Sequence, residues 1–290
     1  MRIATRSSPL ALAQARLVAE AIGGAEMVEV ATDDAPGDKE RFVRGVEAAL
    51  LDGRAEVGVH SAKDLPGTMS AGLEIASVPR REDPRDVWVG PATSLAEVPG
   101  GARVGTVSRR RRSQILALRP DLKPVEMRGN VDTRIRRLHE GEVDGLVLAM
   151  AGLRRLGREG EAAFAFGPGE MVPAAGQGAL VVQSRAGEQG LPGLGDLNDF
   201  ESERALLAER SAVVALEADC SSPVGVHARI DGDRIELDGY VGLEDGSQWI
   251  RDAVTGSSAQ PEAVGRELAR RMVAAGAREL LDLAAGGERT

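Results

Sequence analysis

The sequence contains a single cysteine, Cys220, and only three histidines, at positions 60, 139 and 227. One cysteine excludes an internal disulfide framework and any metal site built from several thiolates. The histidines are too scattered along the chain to indicate a metal-binding cluster. We therefore expect a protein that binds no metal ion.

Aromatic residues are also scarce, with seven in 290 residues, and the net charge is −9. Proteins that bind single-stranded nucleic acids use aromatic stacking platforms and a basic surface, so we expect no nucleic-acid partner. No apolar run approaches the ~20 residues of a membrane-spanning helix, and the first residues lack the apolar segment of a signal peptide. We expect a cytoplasmic protein without a membrane segment.

The charge that is present is unevenly distributed along the chain. The segment 103–155 carries 13 Arg and Lys against six Asp and Glu, a local charge of +7. The rest of the chain must then carry −16. A basic segment in an acidic protein is the pattern expected for concentrating a small anionic ligand.

The most basic stretch begins where a predicted strand ends at Gly105. Ser108 is a good N-cap for a following helix, and four consecutive arginines, 109–112, form the first turn of that helix. The first backbone N–H groups of a helix attract anions, and arginine adds donors suited to carboxylates or phosphates. A solvated basic helix face is the alternative explanation of this run.

Two further strand-to-helix junctions carry cationic residues. Ser8 and the proline after it predict a helix start just beyond Arg6, and Asn130 is a predicted N-cap between Arg128 and Arg134. Cations at several independent junctions are hard to explain as solvated faces. Together they favour an anion-binding cleft.

Lys63 and Asp64 follow a short buried strand, 57–60, and precede a turn that proline and glycine impose. In open α/β sheets, ligands bind at the carboxyl ends of the strands. A Lys–Asp pair is more often a surface salt bridge worth ~0–1 kcal/mol. At this edge of a sheet, however, it is also a candidate functional pair.

Strands alternate with helices over the first two thirds of the chain, which predicts an α/β fold with two lobes across a cationic cleft and a small α+β C-terminal domain. The charged segment 79–85 is a predicted hinge, and 173–179 is the predicted return crossing. A strand at 125–128 and a helix at 260–283 are predicted as well. We predict domain 1 at residues 1–84 and 177–197, domain 2 at 85–176 and domain 3 at 198–290.

Cys220 lies in a predicted loop. A free cysteine is usually buried and inert, but a cysteine in a loop is a candidate covalent attachment point. The neighbouring Asp219 disfavours the thiolate, so the sequence pattern alone leaves both possibilities open.

A series of short motifs is distributed along the chain. The motifs are Arg2-Ile3-Ala4-Thr5-Arg6 with Ser8-Pro9-Leu10-Ala11; Val59-His60-Ser61 with Lys63-Asp64; Glu82-Asp83-Pro84-Arg85-Asp86; Gly105-Thr106 with Ser108 and Arg110-Arg111; Arg128-Gly129-Asn130 with Thr133-Arg134; Ala151-Gly152-Leu153 with Arg155-Leu156-Gly157; Gly176-Gln177-Gly178-Ala179; and Cys220 with Pro223-Val224-Gly225. Taken together, these segments resemble the porphobilinogen deaminase family. The matching motifs occur in the same order over nearly the whole chain, which makes the resemblance highly specific.

The resemblance implies two lobes of the periplasmic-binding type and a small third domain. It implies a transferase, hydroxymethylbilane synthase, which condenses four porphobilinogen molecules head to tail and releases ammonia each time, in porphyrin and haem biosynthesis. It also implies a dipyrromethane cofactor, built from two substrate units and attached through a thioether to Cys220.

The resemblance implies roles for individual residues. Each pyrrole ring carries an acetate and a propionate, and one charge pair at ~4 Å is worth ~4 kcal/mol at an effective dielectric near 20. Asp64 is the implied catalytic residue, which counters the positive charge left on the substrate when ammonia departs. The implied cofactor-binding residues are Cys220, Lys63, Asp64, Thr106, Ser108, Arg110, Arg111, Arg128 and Gly129. Those implied to bind incoming substrate or the growing chain are Arg6, Ser8, Arg134, Arg155 and Gln177.

Three features depart from the family pattern. The loop Asp33–Lys39 is roughly ten residues shorter than the family's lid, a change that surface loops tolerate. Val107 stands where the family has a serine, and Asp219 stands where it has a glycine. We expect effects on closure over the site, on anion binding and on cofactor attachment.

A non-catalytic, two-lobed binding protein for a small polyanion is the alternative function. The third domain and the placed cysteine argue against it. The resemblance further implies a monomer whose partners are porphobilinogen and the growing polypyrrole chain, and whose product passes to uroporphyrinogen-III synthase.

Overall fold

The computed structural model describes residues 1–31, 41–188, 190–219 and 221–286, and of Arg41 and Phe42 only the backbone. The loop 33–39 and Cys220 lie outside the described residues. Over the described ranges the chain forms two five-stranded sheets and one three-stranded sheet, each flanked by helices. The predicted architecture, two α/β lobes and a small α+β domain, is confirmed. No helix in these ranges is long and apolar enough to cross a membrane.

The elements are numbered in chain order. The strands are β1 (Arg2–Arg6), β2 (Glu26–Val30), β3 (Val57–Ser61), β4 (Leu73–Ser77), β5 (Asp86–Val89), β6 (Arg103–Gly105), β7 (Lys123–Val125), β8 (Gly145–Ala149), β9 (Phe164–Ala165), β10 (Leu180–Arg185), β11 (Val224–Asp231), β12 (Arg234–Gly242) and β13 (Trp249–Ser257). The helices are α1 (Pro9–Ala21), α2 (Arg41–Leu51), α3 (Arg109–Leu118), α4 (Val131–His139), α5 (Met150–Arg155), α6 (Leu194–Leu197), α7 (Phe200–Ala215), α8 (Pro261–Ala274) and α9 (Ala277–Gly286).

The sheet of lobe 1 has the strand order β2-β1-β3-β10-β4. The first three strands are parallel, and β10 runs antiparallel to β3 and β4. Apolar clusters cover both faces, one around Ile3 and Val18 and the other around Ala4 and Leu50. Because both faces are covered, most residues of the inner strands β1, β3 and β10 are buried.

The sheet of lobe 2 repeats this arrangement, with the order β7-β6-β8-β5-β9. Here β7, β6 and β8 are parallel, and β5 runs antiparallel to β8 and β9. The antiparallel strand in each lobe directly follows a chain crossing, because 78–85 leads into β5 and 166–179 leads into β10. The two crossings therefore lie between the lobes, next to the strand ends that carry the predicted site residues.

The third domain packs α7 and α8 against the antiparallel sheet β11-β12-β13. Its helix α7 reaches lobe 1, where Leu206 clusters with Ala62 and Leu65. Its strand β12 reaches lobe 2, where the hydroxyl oxygens of Tyr240 and Ser113 form a buried hydrogen bond of 2.8 Å. This domain thus contacts both lobes.

Several local predictions need correction. The predicted helix 260–283 is two helices, broken at Gly276, whose φ of +101° is a conformation that L-residues rarely adopt. The predicted strand 125–128 is wrong, since β7 ends at Val125 and Arg128 lies in the following loop. The strand β13 was not predicted. The domain boundaries stay a prediction.

Candidate active site

The first group of predicted residues lies at the carboxyl ends of two parallel strands of lobe 1. Arg6 is the last residue of β1, and Ser8 caps α1, its Oγ accepting a hydrogen bond from the backbone N–H of Ala11 at 3.3 Å. The next parallel strand, β3, leads into a single 3₁₀ turn that carries Lys63 and Asp64. Nη2 of Arg6 lies 3.9 Å from Oδ2 of Asp64, so the structure brings the two strand ends together.

Charged groups of lobe 2 influence the ammonium group of Lys63. Burial, and next the positive charge of Arg111, lower the pKa of Lys63 to about 8, while Asp64 and Asp86 act in the opposite direction. An ammonium group destabilised by burial and by a neighbouring cation is ready to accept an anion. Lys63 of lobe 1 and Arg111 of lobe 2 therefore belong to one site.

The inner pair of the four-arginine run is buried. Arg110 and Arg111 are 4% and 7% exposed, and both bind the carboxylate of Asp86, which is 0% exposed. Nη1 of Arg110 donates to Oδ2 at 2.7 Å, and Nε of Arg111 donates to Oδ1 at 2.9 Å. Burial alone raises the pKa of Asp86, but the two guanidinium charges outweigh it and hold that pKa well below its usual range. One carboxylate neutralises one of two cations, which leaves a net positive charge for a ligand.

Gln177 links this group to the return crossing. The side chain of Gln177 is 1% exposed, and its Nε2 donates to Oδ1 of Asp86 at 3.0 Å and to the carbonyl oxygen of Pro84 at 2.6 Å. Its Oε1 lies 3.5 Å from Nη2 of Arg110. The predicted substrate residue Gln177 and the predicted cofactor residues thus share one buried network.

Asp86 is the functional residue that sequence reasoning missed. It appears in the sequence analysis only as the last residue of one family motif. A charged residue directly before the buried apolar run 87–89 is the signal that could have identified it, because a buried acid requires a cationic partner.

The outer pair of the arginine run has a different partner. Nε of Arg109 lies 2.9 Å from Oε1 of Glu244, and Nη1 of Arg112 lies 3.9 Å from its Oε2. Glu244 belongs to the turn between β12 and β13 of the third domain. The run is therefore divided, because Arg110 and Arg111 are buried around Asp86 whereas Arg109 and Arg112 form a partly exposed contact with the third domain.

Ser108 and Thr106 form the turn before α3. The predicted N-cap is confirmed, with Oγ of Ser108 accepting from the backbone N–H of Arg111 at 3.4 Å. The backbone N–H of Ser108 donates to Oγ1 of Thr106 at 3.1 Å. Val107 between them is 42% exposed, so the hydroxyl that the family has at this position would have faced solvent or a ligand.

The two arginines at the junction before α4 lie in different surroundings. Nε of Arg134 donates to the carbonyl oxygen of Gly129 at 2.7 Å, and burial, with the charge of Arg111, lowers the pKa of Arg134 to about 10. Arg128 instead points to the surface, where its side chain is 68% exposed and pairs with Glu126 at 2.6 Å. The structure thus brings Arg134 into the cationic group and leaves Arg128 at its rim.

Arg155 reaches the same group from the end of α5. Its Nη2 donates to the carbonyl oxygen of Gly178 at 2.6 Å, and burial lowers its pKa to about 10 against the opposing charge of Glu82. Arg134 and Arg155 both satisfy backbone carbonyls while burial destabilises their charge. Such guanidinium groups are suited to the carboxylates of a ligand.

The cysteine segment is described only on either side of Cys220. Oδ1 of Asp219 accepts hydrogen bonds from the backbone N–H and the hydroxyl of both Ser221 and Ser222, at 2.7 to 2.9 Å. Burial raises the pKa of Asp219, but these hydrogen bonds outweigh it and keep that pKa below its usual value. The residue next to the predicted attachment point is thus a carboxylate anchored in a local turn.

A polycarboxylate fits the charge of this site. The cations come from both lobes, and no group of three or more His, Cys, Asp or Glu residues in the described ranges could hold a metal ion. The acid groups of a dipyrromethane, two per ring, match the cations Lys63, Arg134 and Arg155 and the residual charge of the Asp86 cluster. The residues present therefore fit the implied cofactor.

Comparisons with known proteins give one family. The family model described as porphobilinogen deaminase, dipyromethane cofactor binding domain, matches residues 1–192, and the model described as porphobilinogen deaminase, C-terminal domain, matches residues 204–274. A porphobilinogen deaminase of Campylobacter concisus is 41% identical over 299 residues, covering 97% of this chain and 97% of that protein. One from a Roseiflexus species is 42% identical over 296 residues, covering 96% of this chain and 97% of that protein.

Among solved structures, a TRAP periplasmic solute binding protein from Desulfovibrio salexigens is similar, with a TM-score of 0.43 and 14% sequence identity. The likeness covers 70% of this chain and 72% of that protein.

Proposed function

The chain belongs to the porphobilinogen deaminase family, and from this premise we propose how its described residues carry out the reaction. The activity is that of hydroxymethylbilane synthase, a transferase that condenses four porphobilinogen molecules head to tail with release of ammonia. The chain carries the dipyrromethane cofactor of the family, which when bound supplies the primer for the growing chain. The assignment of individual residues below is our proposal.

The contrast between two carboxylates supports Asp64 as the catalytic acid–base. The side chain of Asp64 is 27% exposed and lies 3.9 Å from one guanidinium nitrogen of Arg6. The carboxylate of Asp86 is 0% exposed and is held by Arg110, Arg111 and Gln177. Two carboxylates in such different environments have different roles, and only the accessible one can meet a substrate.

We propose that Asp64 acts at the substrate's nitrogen and carbon atoms. Each condensation breaks the bond between the substrate's methylene carbon and its amine, which leaves as ammonia, and forms a carbon–carbon bond to the free α-position of a second pyrrole. The methylene pyrrole is cationic after ammonia departs, and a carboxylate beside it lowers the activation barrier to the loss of ammonia. The α-proton is lost once the new bond has formed, and Asp64 is placed to accept it.

The cations provide positioning. We propose that Lys63, Ser108, Arg110, Arg111 and the rim residues Arg128 and Gly129 bind acid groups of the cofactor, with Thr106 holding the turn. Arg6, Ser8, Arg134, Arg155 and Gln177 would bind the acid groups of incoming porphobilinogen or of the growing chain. Holding two reacting rings in register supplies much of the rate of a condensation.

The alternative, a binding protein without catalysis, is not favoured. A carboxylate exposed inside a polyanion site repels the ligand's own carboxylates, so a pure binding protein would gain affinity by lacking Asp64. Its presence among the cations is explained by a cationic species that forms during the reaction.

We further propose that the product is handed to uroporphyrinogen-III synthase, that the chain works as a monomer and that it resides in the cytoplasm. Family resemblance supports the first two statements. The lack of a membrane-spanning helix among the described residues is consistent with the third.

The intact mass of the purified protein tests the proposal, followed by peptide mapping of Cys220. We expect an added mass of two linked pyrrole units on Cys220, and further single-ring increments when porphobilinogen is limiting. Asp64→Asn should keep the cofactor mass but lower turnover ~10²- to 10⁴-fold, because it removes the proton acceptor and the countercharge. An unmodified Cys220 after incubation with substrate, or full activity in Asp64→Asn, would contradict the proposal.

A further inference from the structure

Glu209 joins the two crossings between the lobes, although it lies in the third domain. It belongs to α7 and is 0% exposed. From the outgoing crossing, Nη1 and Nη2 of Arg81 donate to its two carboxylate oxygens at 2.6 and 3.2 Å. From the return crossing, the backbone N–H of Gly176 donates to its Oε2 at 2.6 Å. One carboxylate therefore binds both chain segments that connect the two lobes.

The same carboxylate is fixed within its own domain. Oε1 of Glu209 accepts from the backbone N–H of Ala228 at 2.8 Å, and Nδ1 of His227 lies 3.4 Å from it. Burial raises the pKa of Glu209, but Arg81 and His227 outweigh it and lower that pKa to about 2. Glu209 is thus a permanent anion at a fixed position in the third domain.

The return crossing, which Glu209 holds at Gly176, packs against the turn that carries Lys63 and Asp64. Gly176 has a φ of +72°, and a Cβ at this residue would come within 2.9 Å of the carbonyl carbon of Ala62 and 3.0 Å of the backbone nitrogen of Lys63. The crossing therefore packs backbone to backbone against the turn that holds Lys63 and Asp64. A shift of Gly176 must move that turn or open a gap behind it.

The next two residues of the crossing reach the cations of lobe 2. Gln177 donates to the carboxylate of Asp86, which orients Arg110 and Arg111. The carbonyl oxygen of Gly178 accepts from Arg155. Arg81 also stabilises this segment directly, because its Nε donates to the carbonyl oxygen of Gln177 at 2.8 Å.

We propose that Glu209 is a positioning residue for the condensation reaction, holding the return crossing so that the Asp64 turn and the Asp86 cluster keep one relative placement. This inference rests on the site proposed above. Glu209 touches no substrate and acts through Gly176, Gln177 and Arg81. A small displacement at reacting atoms is costly for an oriented reaction, so the effect should appear in turnover and not only in stability.

The test uses the full chain with its cofactor loaded, and compares Glu209→Gln with Tyr240→Phe. The control variant removes the buried hydrogen bond between Tyr240 and Ser113, which also joins the third domain to a lobe but does not touch the crossings. Folding is checked by thermal unfolding and cofactor loading by intact mass. We expect Glu209→Gln to lower kcat at least tenfold in folded, loaded protein, and Tyr240→Phe to stay within about twofold.

A double-mutant cycle separates positioning from a merely structural role. Gln177→Ala lies at the site end of the crossing, so if Glu209 acts through that segment, the losses of kcat/KM in Glu209→Gln and Gln177→Ala should be strongly non-additive. A structural role predicts additive losses. Wild-type kcat and KM in the folded fraction of Glu209→Gln, or additivity within about twofold, would overturn the proposal.

Arg81→Lys keeps the test decisive if Glu209→Gln does not fold. Lysine preserves the charge beside Glu209 but cannot donate to both carboxylate oxygens and to the carbonyl of Gln177 together. The same tenfold loss of kcat is expected, and unchanged turnover would also overturn the proposal. Absence of turnover in the wild-type protein would instead contradict the proposed function, so the two failures are distinguishable.

Discussion

Asp86 and Arg110 form an ion pair that is almost completely removed from solvent, with Oδ2 of the aspartate 2.7 Å from Nη1 of the arginine. Asp86 is the first residue of β5, which follows the first crossing, whereas Arg110 lies in α3, which follows β6. The pair fixes the direction of the Arg110 side chain, whose Nη1 also donates to the carbonyl oxygen of Val172 at 2.7 Å.

Removing that carboxylate should destabilise the protein strongly. Asp86→Asn leaves two buried guanidinium groups without a countercharge, which we expect to lower the free energy of unfolding by about 3–5 kcal/mol. Urea unfolding at pH 7 measures the change. Asp144→Asn is the matched control, because the Asp144–Arg103 pair is nearly half exposed and should contribute only ~0–1 kcal/mol. Equal losses in the two variants would contradict this prediction.

The four arginines 109–112 should differ in their importance for catalysis. Arg110→Gln and Arg111→Gln remove buried cations at the site, and we expect them to lower kcat/KM by ~10²-fold or more, since each loses one to two charge-assisted contacts of 1.5–3 kcal/mol. Arg109→Gln and Arg112→Gln break partly exposed contacts with Glu244 and should stay within about threefold. Steady-state kinetics on folded, loaded protein decides, and similar losses in all four variants would refute the division.

Lys63 should impose a pH limit on the reaction, because we propose that it holds an acid group of the cofactor. Its pKa is lowered to about 8 by burial and by Arg111, so its positive charge disappears as the pH rises through about 8. We expect kcat/KM for porphobilinogen to fall above that pH in the wild-type protein. Lys63→Arg keeps its charge and should move the fall to higher pH, whereas Lys63→Gln should have a lowered kcat/KM at every pH. A wild-type profile that Lys63→Arg does not alter would count against this role.

His60 should make the protein less stable in mild acid. Its imidazole is buried, Nε2 donates to Oε1 of Gln183 at 3.0 Å, and burial lowers its pKa from 6.5 to about 4. Between those values the unfolded chain binds a proton that the folded protein does not, so stability is complete above pH 6.5 and is lost as the pH falls towards 4. The loss at pH 5 should be about 2 kcal/mol.

The variant His60→Gln, which cannot titrate, should show a flatter dependence of unfolding free energy on pH between 7 and 5. Urea unfolding at the two pH values measures both proteins. A slope equal to that of the wild type would mean that other groups cause the acid sensitivity.

Asp219 should slow the loading of the cofactor. A carboxylate next to Cys220 disfavours the thiolate, and one pKa unit corresponds to a tenfold change in thiolate fraction at pH 7. Asp219→Asn retains an oxygen that can accept from Ser221 and Ser222. We expect it to load about two- to tenfold faster than the wild type, measured by intact mass during incubation of cofactor-free protein with porphobilinogen. Slower loading would show that the charge itself assists attachment.

Local features of the sequence predicted much of the site. The N-caps Ser8, Ser108 and Asn130 each accept the expected backbone hydrogen bond three residues on, because capping depends on residues that are adjacent in the chain. The positions of Arg6, Lys63 and Asp64 at the ends of strands were predictable for the same reason.

Long-range relationships were not predictable in the same way. The roles of Asp86 and Glu209 depend on partners that are far apart in sequence, 24 residues away for Arg110 and 128 for Arg81. Arg128 and Arg134 flank the same N-cap, yet Arg128 is exposed whereas Arg134 is only partly exposed. Composition and spacing carry no information on such differences in burial.

The sheet of lobe 1 needs a strand from far downstream, and this determines the order in which the molecule can assemble during synthesis. Within the described ranges, strand β4 pairs only with β10, which itself pairs with β3, so β4 has no partner until residues 180–185 have left the ribosome. The strands of lobe 2 all lie between residues 86 and 165. A growing chain can therefore complete the sheet of lobe 2 before that of lobe 1. The sheet of lobe 1 keeps an unpaired edge until β10 is synthesised.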